Sequence, residues 1–272
     1  MKNITDSDLH ALVAAVRSSK KYRDMNLPVD FLIDLAAQAA SNAQNLAEVK
    51  TIFRKSLHNV IAPYLETINY TDETSRLQTT PEISADIRDY CRQIMQKHAS
   101  TRERIPCLED FAAWIIEEIG QPETILDLAC ALDPLCLPWF DFTAPLSFLA
   151  YDVNGARVKY LQTLFDLHFP FADAIQQDIF LHPPQQAADC AFFFKEAHRL
   201  EKRQPGGTAL LLQQLRVDVV VLSLPATDLA KHHSLESYHS TLVEKAIEGQ
   251  AWSLKKETVG GELLFFLRKG ER

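Results

Sequence analysis

The residues best placed to do chemistry stand where short apolar runs end. The first run, Thr124–Leu128, carries Asp127 and passes into Ala129-Cys130-Ala131-Leu132-Asp133-Pro134. The second ends in Tyr151-Asp152-Val153-Asn154 and the third in Gln177-Asp178-Ile179-Phe180. The fourth ends in Phe194-Lys195 and the fifth in Ser223-Leu224-Pro225. A carboxylate ending a strand, as Asp152 would, is placed to accept hydrogen bonds from two ribose hydroxyls. Asp178, one run further on, is placed for an adenine amino group. A turn of small residues lets backbone approach a ligand closely; Ala129, Cys130 and Ala131 supply one, less freely than glycine would. The set suits an adenosine-bearing cofactor without a pyrophosphate. The chain has only eight glycines and no G-x-G-x-x-G, which argues against NAD or FAD. It has no Walker A sequence, which argues against a P-loop ATPase. Any one of these acids alone reads equally well as a helix cap or turn former; the ordered set carries the signal.

Five β-rich runs alternate with amphipathic helices from about residue 106. The strands are expected at Thr124–Leu128, Leu146–Tyr151, Ala174–Gln177, Cys190–Phe194 and Val217–Leu222, and the helices at Leu108–Ile119, Asn154–Phe169 and Ser234–Gly249. Such alternation predicts an α/β fold, a mostly parallel doubly wound sheet with helices on both faces. Trp252–Lys256 and Glu262–Leu267 flank Gly260-Gly261 and read as a closing antiparallel hairpin, the layout of class I methyltransferases with their Rossmann-like sheet. Residues 5–105 read differently. Apolar residues recur at helical spacing in Leu9, Leu12, Val13, Val16 and in Phe31, Leu32, Leu35, Ala36, Ala39, with Pro28 suited to a first turn. The pattern continues over 46–70 and 82–98, with the polar stretch Thr71–Pro81 expected as a connection. The domains expected are therefore an all-helical one over 1–105 and an α/β one over 106–272.

Net charge is −8, which by itself argues against a nucleic-acid binder. The charge is unevenly spread: residues 1–105 carry a net +1 and the remainder −9. Basic residues cluster in the first part at Lys20, Lys21 and Arg23, at Arg54, Lys55 and His58, and at Lys97, His98, Arg102 and Arg104. Salt screening over about 8 Å lets such a face hold phosphates on an acidic protein. The five cysteines are odd in number and show no C-x-x-C, so buried free thiols are expected and a zinc site is not. No apolar run is long enough to span a membrane, and the polar start MKNITDSDLH is unlike a signal peptide, so a cytoplasmic address is expected.

Further stretches carry a resemblance. Ser19-Lys20-Lys21-Tyr22-Arg23, Leu57-His58 with Tyr64, His98-Ala99-Ser100-Thr101-Arg102-Glu103-Arg104, Asp127 to Leu135, Phe194-Lys195 with Glu201, and Ser223-Leu224-Pro225 stand in one order along the chain. They resemble the S-K-K-Y-R, L-H…A-Y, H-A-S-T-[KR]-E-R, D-x-A-C-G-L-N-P-L, F-K…E and S-F-P of the aminoglycoside-resistance 16S rRNA methyltransferases. The resemblance covers nearly the whole chain. It implies a 16S rRNA (guanine(1405)-N7)-methyltransferase that uses S-adenosyl-L-methionine and acts on 16S rRNA in the assembled 30S subunit, as a monomer. It further implies that Arg104 holds the methionine carboxylate, with Asp127, Ala129, Ala131, Asp152 and Asp178 around the cofactor. Lys195 and Glu201 would sit beside the target base. Lys20, Lys21, Arg23, His58 and Lys231 would meet RNA. No metal is implied.

Two stretches depart from the family. Its G-L-N-P is Ala131-Leu132-Asp133-Pro134 here, which adds a methyl and a charge at the cofactor turn. After S-F-P the family carries an arginine and then a Gly/Arg/Lys-rich loop; here the stretch is Ala226-Thr227-Asp228-Leu229-Ala230-Lys231-His232-His233. These departures keep two other readings open: a methyltransferase acting on another RNA, and a catalytically weakened ribosome-binding relative. Guanine N7 carries an exposed lone pair, so transfer needs positioning of an extruded base rather than a general base. Phe180, Phe193 and Trp139 are positioned to stack on such a base, although core packing is the more ordinary fate of an aromatic.

Overall fold

The computed structural model describes residues 4–61, 68–80, 83, 86–143, 145–228 and 233–270. Three helices open the chain: α1 (Asp6–Arg17), α2 (Val29–Ser41) and α3 (Leu46–Ile61). Thr5 caps α1 in a reciprocal capping box with Asp8, and Pro28 precedes the first turn of α2, where a missing N–H is harmless. Val13, Val16, Phe31, Leu35, Phe53 and Leu57 close one apolar core among these helices, with Val153 packed against it.

Next come α4 (Tyr70–Thr79), α5 (Ile87–Met95), α6 (Ala99–Arg102) and α7 (Leu108–Ile119). The polar stretch expected as a connection is thus mostly helix α4. Asn69 caps it by accepting from the backbone of Thr71 and Asp72, and only Tyr70, Glu73 and Leu77 are buried. A helix that buries so narrow a stripe is polar in composition and reads as a loop.

The seven strands are β1 (Thr124–Asp127), β2 (Ser147–Asp152), β3 (Ala172–Gln176), β4 (Ala188–Phe194), β5 (Val217–Pro225), β6 (Trp252–Val259) and β7 (Glu262–Lys269). They form one sheet in the order β3-β2-β1-β4-β5-β7-β6. The pairings among β1 to β5 are parallel; β7 runs antiparallel to both β5 and β6. Order reverses after β1, whose two neighbours are β2 and β4. Ligands of open α/β sheets bind at such a switch point, beyond the carboxyl ends of the strands.

Side chains alternate between two apolar layers. Phe192, Phe194, Val219, Val221, Leu264 and Phe266 face one side, packed with α5, α7 and α8 (Gly155–His168). Ala191, Phe193, Val220, Leu222, Leu263 and Phe265 face the other, packed with α9 (Ala197–Arg203), α10 (Gly207–Gln214) and α11 (Glu236–Ile247). Burial of both faces is why the strands read as continuous apolar runs. Among the described residues no helix is long and apolar enough to cross a membrane. The five cysteines are free thiols, all buried except the half-buried Cys107.

Candidate active site

Beyond β1 the chain makes a tight turn in which Ala129 and Ala131 both adopt left-handed conformations, φ 53° and 46°. That region favours glycine, and a Cβ there costs on the order of 1 kcal/mol or more. The turn is held by Cys130 N–H donating to Tyr151 O at 2.8 Å and by Ala131 N–H donating to Asp152 Oδ2 at 3.1 Å. Backbone is thereby brought to the surface where the order of strands reverses. Strain of this kind persists where surrounding structure over-determines it, commonly at ligand sites.

Five acids converge on this region. Asp127 is buried at the end of β1, and its Oδ1 has no hydrogen-bond partner among the described residues. Burial raises its carboxyl well above the ordinary range; Asp133 and Asp152 add to the rise, and Arg104 opposes it. Asp133, in the turn after β1, receives Arg104 Nη1 at 2.8 Å. Burial raises its carboxyl to about 6 despite Arg104. Glu262, the first residue of β7, receives Arg104 Nε at 3.2 Å and Nη2 at 2.7 Å, and lies 3.3 Å from Lys195 Nζ. Burial alone would raise its carboxyl, but Arg104 and then Lys195 outweigh that and hold it near 2.

The other two acids end neighbouring strands. Asp152 accepts from Asn154 N–H at 2.6 Å and from Arg157 Nη1 at 2.8 Å, and Arg157 Nε donates to the Tyr70 hydroxyl at 2.9 Å. Asp178 accepts from Phe180 N–H at 3.0 Å and lies 2.7 Å from Arg203 Nη2, which also reaches Asp34 of α2 at 2.9 Å. Lys195, just after β4, is likewise left-handed at φ 58° and is buried. Its Nζ donates to Ser100 O at 2.9 Å and to Glu103 at 3.1 Å. The stretch from His98 to Arg104 therefore lies across the strand ends and brings Arg104, Glu103 and Ser100 to them.

A family model described as "Ribosomal RNA methyltransferase (FmrO)" matches residues 18–267. The chain belongs to the FmrO family of ribosomal RNA methyltransferases. Among its relatives is the 16S rRNA (guanine(1405)-N(7))-methyltransferase of Micromonospora rosea, 24% identical over 271 residues, which cover 97% of this chain and 98% of that one. The protein of the same name from Serratia marcescens is 25% identical over 268 residues, covering 98% and 99%. Among solved structures, the 16S rRNA methyltransferase RmtF in complex with S-adenosyl-L-homocysteine superposes with a TM-score of 0.80 at 21% identity, over 98% of this chain and all of that one. The 16S rRNA methylase RmtB gives 0.77 at 21% identity, over 96% and 98%. These likenesses establish the class I methyltransferase fold.

Within this FmrO-family chain the structure brings Arg104, Asp127, Ala131, Asp152 and Lys195 to one end of the sheet, with Ala129 in the same turn. Asp178 stands one strand outward. Lys21 and His58, 37 positions apart, meet at 3.0 Å on the surface of the opening helices, and Lys20 and Arg23 are exposed beside Lys21. Lys231 and Tyr64 lie outside the described residues. Phe193 is core, and Trp139 is buried with Arg88 and Arg92 over its ring. Phe180 is half-buried under Arg203.

Glu201, expected beside the target base, has both carboxylate oxygens bonded to a helix start. Its two oxygens accept from Gly206 N–H at 2.8 Å and Thr208 N–H at 2.9 Å, which caps the start of α10. An acid there satisfies orphan donors and complements the helix dipole. Glu201→Ala should lower stability by about 1–2 kcal/mol, and leave the methylation rate per folded molecule unchanged. A rate that falls tenfold in a variant with wild-type melting temperature would return Glu201 to the reaction.

The sequence reading missed Glu262, Arg157 and Arg203. The signal for Glu262 was an acid opening the otherwise apolar run Leu263–Leu267. Among the described residues, no group of three or more His, Cys, Asp or Glu is placed to hold a metal ion.

Proposed function

We propose that the chain transfers a methyl group from S-adenosylmethionine to N7 of guanine 1405 in 16S rRNA. It acts on the assembled 30S subunit in the cytoplasm as a monomer and so gives aminoglycoside resistance. The observation that carries the reading is membership of a ribosomal RNA methyltransferase family over 18–267, in a chain whose buried charged residues gather at the sheet's switch point. Relatives named for this reaction cover nearly the full chain.

The residues fit the cofactor. Among the described residues Asp152 Oδ1 accepts from Asn154 alone, so a lone pair remains for a ribose hydroxyl. Asp178 likewise keeps acceptor capacity for an adenine amino group. Oδ1 of Asp127, without a hydrogen-bond partner among the described residues, is an acceptor for an ammonium. The turn at Ala129 and Ala131 offers backbone. When bound, S-adenosylmethionine supplies a methyl group on a sulfonium leaving group. N7 needs no deprotonation, so the chain's own contribution is positioning: holding the base in line, with Lys195 at the acceptor side of the strand ends.

Labelled S-adenosylmethionine offered with 30S subunits, 50S subunits and tRNA tests the reading. Label in 30S alone, with strand scission at guanine 1405 after borohydride and aniline, is expected. Label in 50S or tRNA alone would favour another RNA substrate, and no label with intact 30S binding would favour the non-catalytic relative.

The helical segment 1–105 is the docking part in this reading. Lys20, Lys21 and Arg23 are exposed near His58. Replacing all three with glutamine should weaken 30S binding and reduce its logarithmic salt slope by about 2. Affinity for S-adenosylhomocysteine should stay unchanged. Loss of that affinity with intact 30S binding would overturn the assignment.

A further inference from the structure

Arg104 is 1% exposed between the rings of Phe111 and Phe194, whose centroids lie 4.2 and 5.0 Å from its guanidinium carbon. All three of its nitrogens face carboxylates. Nε and Nη2 make a bidentate pair with Glu262, and Nη1 donates to Asp133. The two acids are held unequally. Glu262 touches a second cation, Lys195, at 3.3 Å. For Asp133, Arg104 is the single ion-pair partner among the described residues. Asp127 stands near it as a second acid, and burial already pushes the Asp133 carboxyl up to about 6. Asp133 also belongs to the turn that presents backbone to the ligand, whereas Glu262 comes from β7 on the far side of β4 and β5.

We propose that Asp133 occupies the position on Arg104 that the α-carboxylate of a bound S-adenosyl amino acid takes, so that the cofactor enters only by displacing the protein's own carboxylate. The inference rests on the reading of this site as an S-adenosylmethionine site. Its basis is charge and geometry. A guanidinium with Glu262 on one edge has one remaining edge for an anion, and Asp133 Oδ1 sits on it at 2.8 Å. A second carboxylate brought there without moving Asp133 would put two like charges on one Nη in a buried site, where repulsion is strong. Asparagine, which the family motif carries at this position, has nearly the shape of aspartate and no charge. Asp133 is thus a specificity-determining residue. It penalises ligands with a carboxylate and is indifferent to those without one. The ammonium of the ligand has its own acceptor in Asp127 Oδ1.

Calorimetry on wild type and Asp133→Asn with two ligands tests this. One is S-adenosylhomocysteine; the other is its decarboxylated form, which keeps adenosine, thioether and amine. Asp133→Asn should tighten S-adenosylhomocysteine by about tenfold or more, and leave the decarboxylated ligand within about threefold. Equal S-adenosylhomocysteine affinity in the two proteins overturns the inference. So does an equal change for both ligands, which would mean a repacked turn. Weaker binding of both ligands by Asp133→Asn also overturns it and makes Asp133 the acceptor for the amine. If neither protein binds S-adenosylhomocysteine, the reading of the site falls, and the inference with it.

Discussion

Arg104→Ala should lower the melting temperature at pH 7.5 by on the order of 10 °C, more than any other single change at the site. Arg104 is the shared partner of Asp133 and Glu262, and Asp127 stands near them. Removing one partner of a buried ion pair costs about 3–5 kcal/mol, because the other charge stays buried without compensation. Here two buried carboxylates pair with one guanidinium and a third, Asp127, is lowered by its charge; of the three, Glu262 alone lies within ion-pair distance of Lys195. The pH dependence has a definite sign. Asp133 has its folded value raised to about 6, and Asp127 is raised as well. Such groups weigh against the fold above their unfolded values near 4, and the penalty eases as pH falls through the folded value. Glu262, held near 2, contributes stability above its unfolded value that is lost only as pH falls toward 2. Without Arg104 the folded values of Asp133 and Glu262 both rise. The gap in melting temperature between wild type and Arg104→Ala should therefore narrow from pH 7.5 to pH 5. Scanning calorimetry at the two values measures it; a gap under about 2 °C at pH 7.5 would mean that the cluster does not stabilise the fold.

How much of this site the sequence displayed depended on how local each contact is. Asp127, Asp152 and Lys195 were visible because apolar runs buried on both faces mark the strands, and the strand ends then follow. The closing hairpin was visible in Gly260-Gly261, and Gly260 indeed takes a left-handed φ of 58°. Which cation answers which acid was not visible. Glu262 and Arg104 lie 158 positions apart, and Asp34 and Arg203 lie 169. No periodicity encodes such pairs. Arg157 is different. It sits five residues after Asp152, at the first turn of a helix that Asn154 caps, so a helical wheel could have turned it toward the strand end. Glu201 shows the opposite failure. The resemblance to the family's F-K…E implies a place for it beside Lys195, but Gly206-Gly207-Thr208 just downstream is a helix start with donors to satisfy. Helix α4 is hidden because its polar composition reads as a connection, while Asn69 with Asp72 and Glu73 spells a capped first turn.

Lys195→Ala should lower methylation of 30S subunits by about tenfold or more, on the order of 1.4 kcal/mol in the barrier, with affinity for S-adenosylhomocysteine nearly unchanged. Lys195 lies just past β4, its N–H bonded to Ser223 O at 2.8 Å, at a carboxyl strand end, where ligands of open α/β sheets bind. The residue is 5% exposed, and its ammonium is held by Ser100 O, Glu103 and Glu262. Of these, Glu103 is exposed, so one of the three ties can be exchanged for a phosphate or a base oxygen without uncovering a buried charge. The structural and functional parts of the substitution separate through the backbone. At φ 58° any residue but glycine is strained, by roughly 1 kcal/mol or more. Alanine removes the ammonium and keeps the strain, whereas glycine removes both. Lys195→Gly should therefore melt higher than Lys195→Ala and be equally poor at methylation. If activity instead follows stability across the pair, with the glycine variant regaining the rate, Lys195 serves the fold. If both variants methylate 30S at the wild-type rate, and cells expressing them keep full kanamycin and gentamicin tolerance, the ammonium has no part in the transfer. Loss of activity in both, with cofactor affinity intact and melting temperatures apart, places the lysine at the acceptor.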